Sequence, residues 1–114
     1  MTPTQPSGWF PRRGEIYWVK LDKKRPAIVI STDALNRHAL DVCLVPVTTA
    51  ERRRFSLRVP IRAGEAGLPS NSWAKCDQVT TVDKTLLLYP PLGKLGSSTL
   101  EEIEQRVKLA LQLM

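Results

Sequence analysis

Arg25 is the residue whose chemistry is easiest to specify from the sequence. It lies in Lys24-Arg-Pro26, where Pro26 fixes the following φ angle, so the sequence predicts a guanidinium held at a turn-to-strand junction. A guanidinium so fixed offers two parallel donors to a phosphate. Thr48 and Thr49 close an apolar run that begins at Val42, which brings hydroxyls to a strand end. Successive strand residues face opposite ways, so one of the two is expected to point toward Arg25. Arg52, Arg53 and Arg54 follow. With Arg58, Lys23 and Lys24 they form either a solvated basic face or a groove that tracks a polyanion. Ser72 and Gln78 are further polar groups at strand ends. Trp9, Phe10, Phe55 and Trp73 offer rings for stacking or for core.

Other chemistries have too few residues. One histidine, His38, falls in what reads as a loop after Asn36-Arg37, so a histidine pair is excluded. Two cysteines without Cys-x-x-Cys spacing leave a structural zinc site short of ligands. They also allow at most one disulfide, against the several usual in small secreted scaffolds. No metal and no cofactor are expected. Cys43 reads as a small buried hydrophobe inside an apolar strand.

The charge is uneven. Of 114 residues, 17 are Lys or Arg and 11 Asp or Glu, giving +6. Residues 1–62 hold 12 basic and 5 acidic side chains, or +7, and residues 63–114 hold 5 and 6, or −1. A polyanion would therefore meet the first half. The 42% apolar content is that of an ordinary globular chain. No apolar run approaches the roughly 20 residues of a membrane helix, and the start has no secretory pattern, so a cytoplasmic protein without membrane partners is expected.

The elements that must carry these residues are short. Residues 1–11 hold three prolines and read as a flexible N-terminal tail, leaving 12–114 as a single domain. Gly14 to Leu21 reads as a strand, and Asp22 to Pro26 as a tight basic turn. Ala27–Ser31 and Val42–Thr48 are continuous apolar runs, as in strands covered on both faces. Ser56–Ile61 alternates, and Pro60 confines it to an edge. Gly64 to Asn71 is a loop. Strands follow at Ser72–Asp77 and at Thr85–Tyr89, the last stopping before Pro90-Pro91. About six short strands predict a small barrel. Leu100, Ile103, Val107, Ala110, Leu111 and Met114 recur with helical period, and Ser98 or Thr99 would open that helix with a capping box.

Arg13-Gly-Glu-Ile-Tyr-Trp-Val, Lys24-Arg-Pro-Ala-Ile-Val-Ile-Ser, Val45-Pro-Val-Thr-Thr and Cys76-Asp-Gln-Val-Thr-Thr-Val-Asp-Lys84, followed by Leu92-Gly-Lys-Leu95 and the helix, together resemble the MazF/PemK-type toxins. The resemblance spans about residues 12–113. It implies a mainly β fold with α, a small SH3-like (CcdB/PemK-like) barrel with a C-terminal amphipathic helix, assembled as a homodimer. It implies a ribosome-independent mRNA interferase that cleaves single-stranded RNA at short motifs without metal, leaving 2′,3′-cyclic phosphate and 5′-hydroxyl ends. It implies neutralisation by a MazE-like antitoxin with an acidic tail. Carried over by motif position, Arg25 and Thr48 are catalytic. Lys23, Lys24, Thr49, Arg52, Arg53, Arg54, Ser72 and Gln78 are the RNA-binding candidates. Many members carry a longer loop with Gly-Ser-Glu before the Arg-Pro, whereas here Leu21-Asp-Lys-Lys connects directly. Two other readings share the fold: an inert basic SH3-like module that binds nucleic acid, and a CcdB-type toxin that poisons gyrase. Neither needs Arg25 together with Thr48.

Overall fold

The computed structural model describes residues 5–50 and 57–113. Among these residues seven strands and two helices follow one another as β1 (Glu15–Lys20), β2 (Lys24–Val29), α1 (Asp33–His38), β3 (Asp41–Thr48), β4 (Arg58–Ile61), β5 (Ser72–Lys75), β6 (Thr80–Asp83), β7 (Leu87–Lys94) and α2 (Ser97–Leu111), with 3-10 turns at Glu65–Gly67 and Lys84–Leu86. The strands join in the order β4-β5-β3-β2-β1-β7, with β6 on β3. Among the described residues β4, β6 and β7 each pair on one side only, and no ladder joins β4 to β7 to close the small barrel expected from the sequence. The turn at Glu65–Gly67, which follows β4, packs onto β7 and brings the two sides together.

β1, β2 and β3 are buried on both faces, as their continuous apolar runs require. Ile16, Ile28, Val45 and Val47 join one core with Val59, Ile61, Leu68 and Ile103, while Tyr17, Val19, Ala27, Val29, Val42 and Leu44 join a second with Val82 and Leu87. Ile103 of α2 is fully buried in the first core, with Leu100 and Val107 against it. The helical stripe read from the sequence is therefore the packed face, although Leu111 is exposed. Met114 lies outside the described residues.

β3 changes partner along its length. Asp41 to Leu44 pair with β6, and Val47 and Thr48 pair with β5. Pro46, which has no N–H to donate, stands between the two pairings. β4 is an edge, as Pro60 demanded: Val59 and Ile61 point inward and Pro60 outward.

Several local expectations are corrected. Lys24, Arg25 and Pro26 are already in β2, because the hairpin closes over Leu21, Asp22 and Lys23 with Lys20 opposite Lys24. His38 ends a helix rather than sitting in a loop. Thr32 caps that helix by accepting the Leu35 N–H, and Asn36 is buried, its amide donating to the Ser31 carbonyl at 3.0 Å. β7 runs on through Pro90 and Pro91, which lie where its register against β1 shifts between Trp18 and Ile16, so the prolines occupy no ladder pair. α2 starts two residues earlier than a Ser98 cap would set it, and three earlier than a Thr99 cap, on an extended Gly96 with no side-chain cap. Cys43 is half-exposed, its sulfur 3.6 Å from the Thr81 hydroxyl: although it alternates onto the face of Val45 and Val47, it joins neither core. Within the expected tail, Trp9 packs edge-on to Tyr17 and Tyr89 and Pro11 is buried, so the stretch from Trp9 is held by aromatic contacts. No helix among the described residues is long and apolar enough to cross a membrane.

Candidate functional site

Antiparallel register brings Arg25 and Thr48 together. β2 and β3 pair Val29 with Leu44, Ile28 with Val45 and Ala27 with Pro46. Extending that register by two residues, beyond the last ladder pair, sets Pro26 opposite Val47 and Arg25 opposite Thr48. Directly opposed residues of an antiparallel pair are side-chain neighbours. Both line a cavity of about 260 Å³ with Trp18, Thr49, Leu68, Pro69, Ser70 and Ser72 among its walls.

Arg25 is exposed and forms no ion pair among the described residues, so its donors are available to an anion. Thr48 is half-buried, and its Oγ1 accepts the Ala50 N–H at 3.1 Å. That bond holds the oxygen in place and leaves the hydroxyl proton free to be donated. Thr49 lines the same cavity. The strand alternation expected to separate the two threonines does not do so, because β3 ends at Thr48 and Thr49 lies past it.

Arg25 and Pro26 also border a second cavity, of about 250 Å³, on the other face of the sheet. Gln78, Thr80, Lys75, Leu44 and Pro46 contribute to its lining. Arg25 thus stands at the sheet's rim with a recess on either side.

Of the other candidates, Ser72 reaches the first cavity but is almost fully buried, and its hydroxyl donates to the Ser70 carbonyl at 2.9 Å. It holds the wall in place. Lys24 sits with its ammonium 5.3 Å from the Trp18 ring centre, at the cavity's edge. Lys23 is exposed in the hairpin turn and borders neither cavity. Arg52, Arg53, Arg54 and Phe55 lie outside the described residues. Arg58, beyond them, donates to the Ala50 carbonyl at 2.6 Å, just past Thr48. His38 is exposed on α1 and lines neither cavity. Among the described residues no group of three or more His, Cys, Asp and Glu could hold a metal.

The sequence reading missed Trp18 and the wall formed by Leu68, Pro69 and Ser70. Trp18 was legible in principle, since a three-residue turn places it opposite Pro26. The wall was not, because a loop carries no register.

Strands β1 to β3 covered on both faces, a C-terminal helix over the first core and one cleft lined by both Arg25 and Thr48 make up the site-bearing fold. The family described as the PemK-like, MazF-like toxin of type II toxin–antitoxin systems matches residues 12–111, and the chain belongs to it. Endoribonuclease MazF9 of Mycobacterium tuberculosis is 30% identical over 115 residues, an alignment covering 90% of this chain and 97% of the relative. A solved endoribonuclease from Mycobacterial species superposes with a TM-score of 0.79 at 29% identity, covering 95% of this chain and 97% of that one. Another, an endoribonuclease in complex with its cognate antitoxin from Mycobacterial species, gives 0.79 at 30% identity over 91% and 97% of the two chains. The MazE-MazF complex of Deinococcus radiodurans, at 20% identity and a TM-score of 0.77 over 93% and 100%, shares the fold.

Proposed function

We propose that this chain is a sequence-specific, ribosome-independent endoribonuclease that cleaves single-stranded RNA without a metal and is neutralised by a cognate antitoxin. The observation that carries the reading is the meeting of Arg25 and Thr48 in one cleft, a pairing required by neither an inert binding module nor a gyrase poison. Relatives named as endoribonucleases, one of them solved with its antitoxin, support it.

The ribose 2′-hydroxyl gives its proton to solvent water as its oxygen attacks the adjacent phosphorus. The P–O5′ bond breaks, and the departing 5′-oxygen gains a proton. The products are a 2′,3′-cyclic phosphate and a 5′-hydroxyl. Charge accumulates on the non-bridging oxygens in the phosphorane, where a preorganised donor is most effective. Arg25 supplies two such donors and Thr48 a third. With a pKa above about 12, Arg25 cannot serve readily as a free base, so its work is stabilisation and delivery of a proton to the leaving oxygen. The nucleotides flanking the scissile phosphate occupy the two recesses beside Arg25, with Thr49 and Ser72 on one side and Gln78 on the other. Lys23, Lys24, Arg52, Arg53 and Arg54 hold the backbone. An antitoxin with an acidic tail competes for the same basic surface, and the active form is a homodimer in the cytoplasm.

Incubation of the purified protein with a long RNA in EDTA tests the reading. Discrete cuts with cyclic-phosphate and 5′-hydroxyl ends are expected. Loss of cutting on chelation, or 5′-phosphate ends, would overturn the metal-free mechanism.

A further inference from the structure

The wall facing Arg25 and Thr48 is a loop, yet it is seated by backbone. Between β4 and β5 the chain closes on itself: the Gly64 N–H donates to the Leu68 carbonyl at 2.7 Å, the Leu68 N–H to the Glu65 carbonyl at 3.1 Å, and the Ala63 N–H to the Asn71 side chain at 2.8 Å. Leu68 is buried in the first core. This rigid loop meets β7 at Gly67 and Gly93, where main chain lies against main chain. A Cβ on Gly67 would fall 2.0 Å from the Leu92 carbonyl oxygen, and one on Gly93 would fall 2.4 Å from the Ala66 carbonyl carbon. Both obstacles are backbone, so no side-chain rotation relieves them. Gly67 also has φ +79°, a conformation that favours glycine.

The next three residues after Gly67 are Leu68, Pro69 and Ser70, which form the cleft wall. We propose that Gly67 and Gly93 are positioning residues for substrate: their contact against β7 sets how far this wall stands from Arg25, and so the width of the cleft that receives RNA. They touch neither Arg25 nor Thr48, which lie on β2 and β3. The inference rests on the cleavage function proposed above. The wall contacts bound nucleotide rather than the reacting phosphate, so displacing it removes binding shared by ground state and transition state. Such a loss raises KM and leaves kcat in place.

The test compares Gly93→Ala with Gly96→Ala, three residues on in the connection between β7 and α2, where an added Cβ meets nothing within 4 Å. Cleavage of a short fluorogenic oligoribonucleotide gives kcat and KM, and a 2′-deoxy version of the same oligonucleotide gives affinity without cutting. Gly93→Ala is expected to raise KM and Kd together by roughly tenfold, a displacement equivalent to one contact, with kcat within about twofold of the parent. Gly96→Ala is expected to match the parent. Should Gly93→Ala fail to fold, Pro69→Gly decides: Pro69 is exposed, and loosening it is expected to raise KM in the same way. Unchanged KM in a folded Gly93→Ala protein, or in Pro69→Gly if the first does not fold, overturns the inference, as does a loss confined to kcat. A parent protein that cuts no RNA, or an Arg25→Ala variant that cuts normally, overturns the cleavage function itself, which is a different result.

Discussion

Truncating Arg25 to alanine isolates electrostatic chemistry from folding. The side chain is exposed, lies at the start of β2 and has no ion-pair partner among the described residues. Its removal takes little area from the core, and the stability change should stay within about 0.5 kcal/mol, the range of ordinary surface substitutions. The rate change should be far larger. Removing one preorganised donor to a developing oxyanion costs about 10²–10³ in kcat, or about 3–4 kcal/mol, and Arg25 is proposed to supply two. A fall of at least about 10² in the single-turnover cleavage rate is therefore expected, with the thermal midpoint of the circular-dichroism melt unchanged within about 2–3 °C. Arg25→Lys should lie between the two, because an ammonium keeps the charge and loses the planar fork. A folded Arg25→Ala protein that cuts within about threefold of the parent would refute the argument. So would a large loss accompanied by an equally large drop in melting temperature, since the effect would then belong to the fold.

Thr48→Ala should slow cutting more than Thr49→Ala under the same assay, because the Ala50 N–H fixes the Thr48 oxygen whereas Thr49 is exposed beyond the strand end. The opposite order would assign the chemistry to Thr49. Stability should fall as pH rises from about 9 to about 11. Burial pushes the Cys76 thiol up to about 11 from its ordinary value near 9, and it raises the Tyr17 hydroxyl as well, helped by the hydrogen bond to Glu15. In that window the unfolded chain has lost protons that the folded chain retains, and linkage then favours unfolding. Urea melts across the range, with Cys76→Ala as the comparison, measure the slope, and a variant with an identical slope would remove the thiol from the account.

The fold was legible where a residue's neighbours along the chain settle its environment. The unbroken apolar runs of β2 and β3 required cover on two faces, Pro60 required an edge, and Ile103 with Leu100 and Val107 marked the buried face of α2. The placement of Arg25 and Thr48 in one cleft follows from register once the two strands are paired. Features that depend on distant partners were not. Asn36 makes α1 a helix through a bond to Ser31 and through Lys84, whose ammonium reaches the Asn36 and Arg37 carbonyls from 48 and 47 positions away. Pro90 and Pro91 read as a strand stop because nothing local says that the register of β7 against β1 shifts there. The cleft wall depends on Gly93, more than twenty residues further along the chain.

β1 and β7 pair Glu15 with Lys94, positions 79 apart in the chain. The hairpin that carries Arg25 therefore gains its outer neighbour only after β7 has been made, and α2, which seals the first core, later still. Non-local closure of this kind is slow relative to local pairing. During synthesis, the half of the chain with the excess positive charge leaves the ribosome first and waits for the strand and helix that complete its sheet. A ribosome-bound fragment ending before Leu87 would carry Arg25 and Thr48 without that outer strand, so assembly of the finished site is timed by translation of the acidic half.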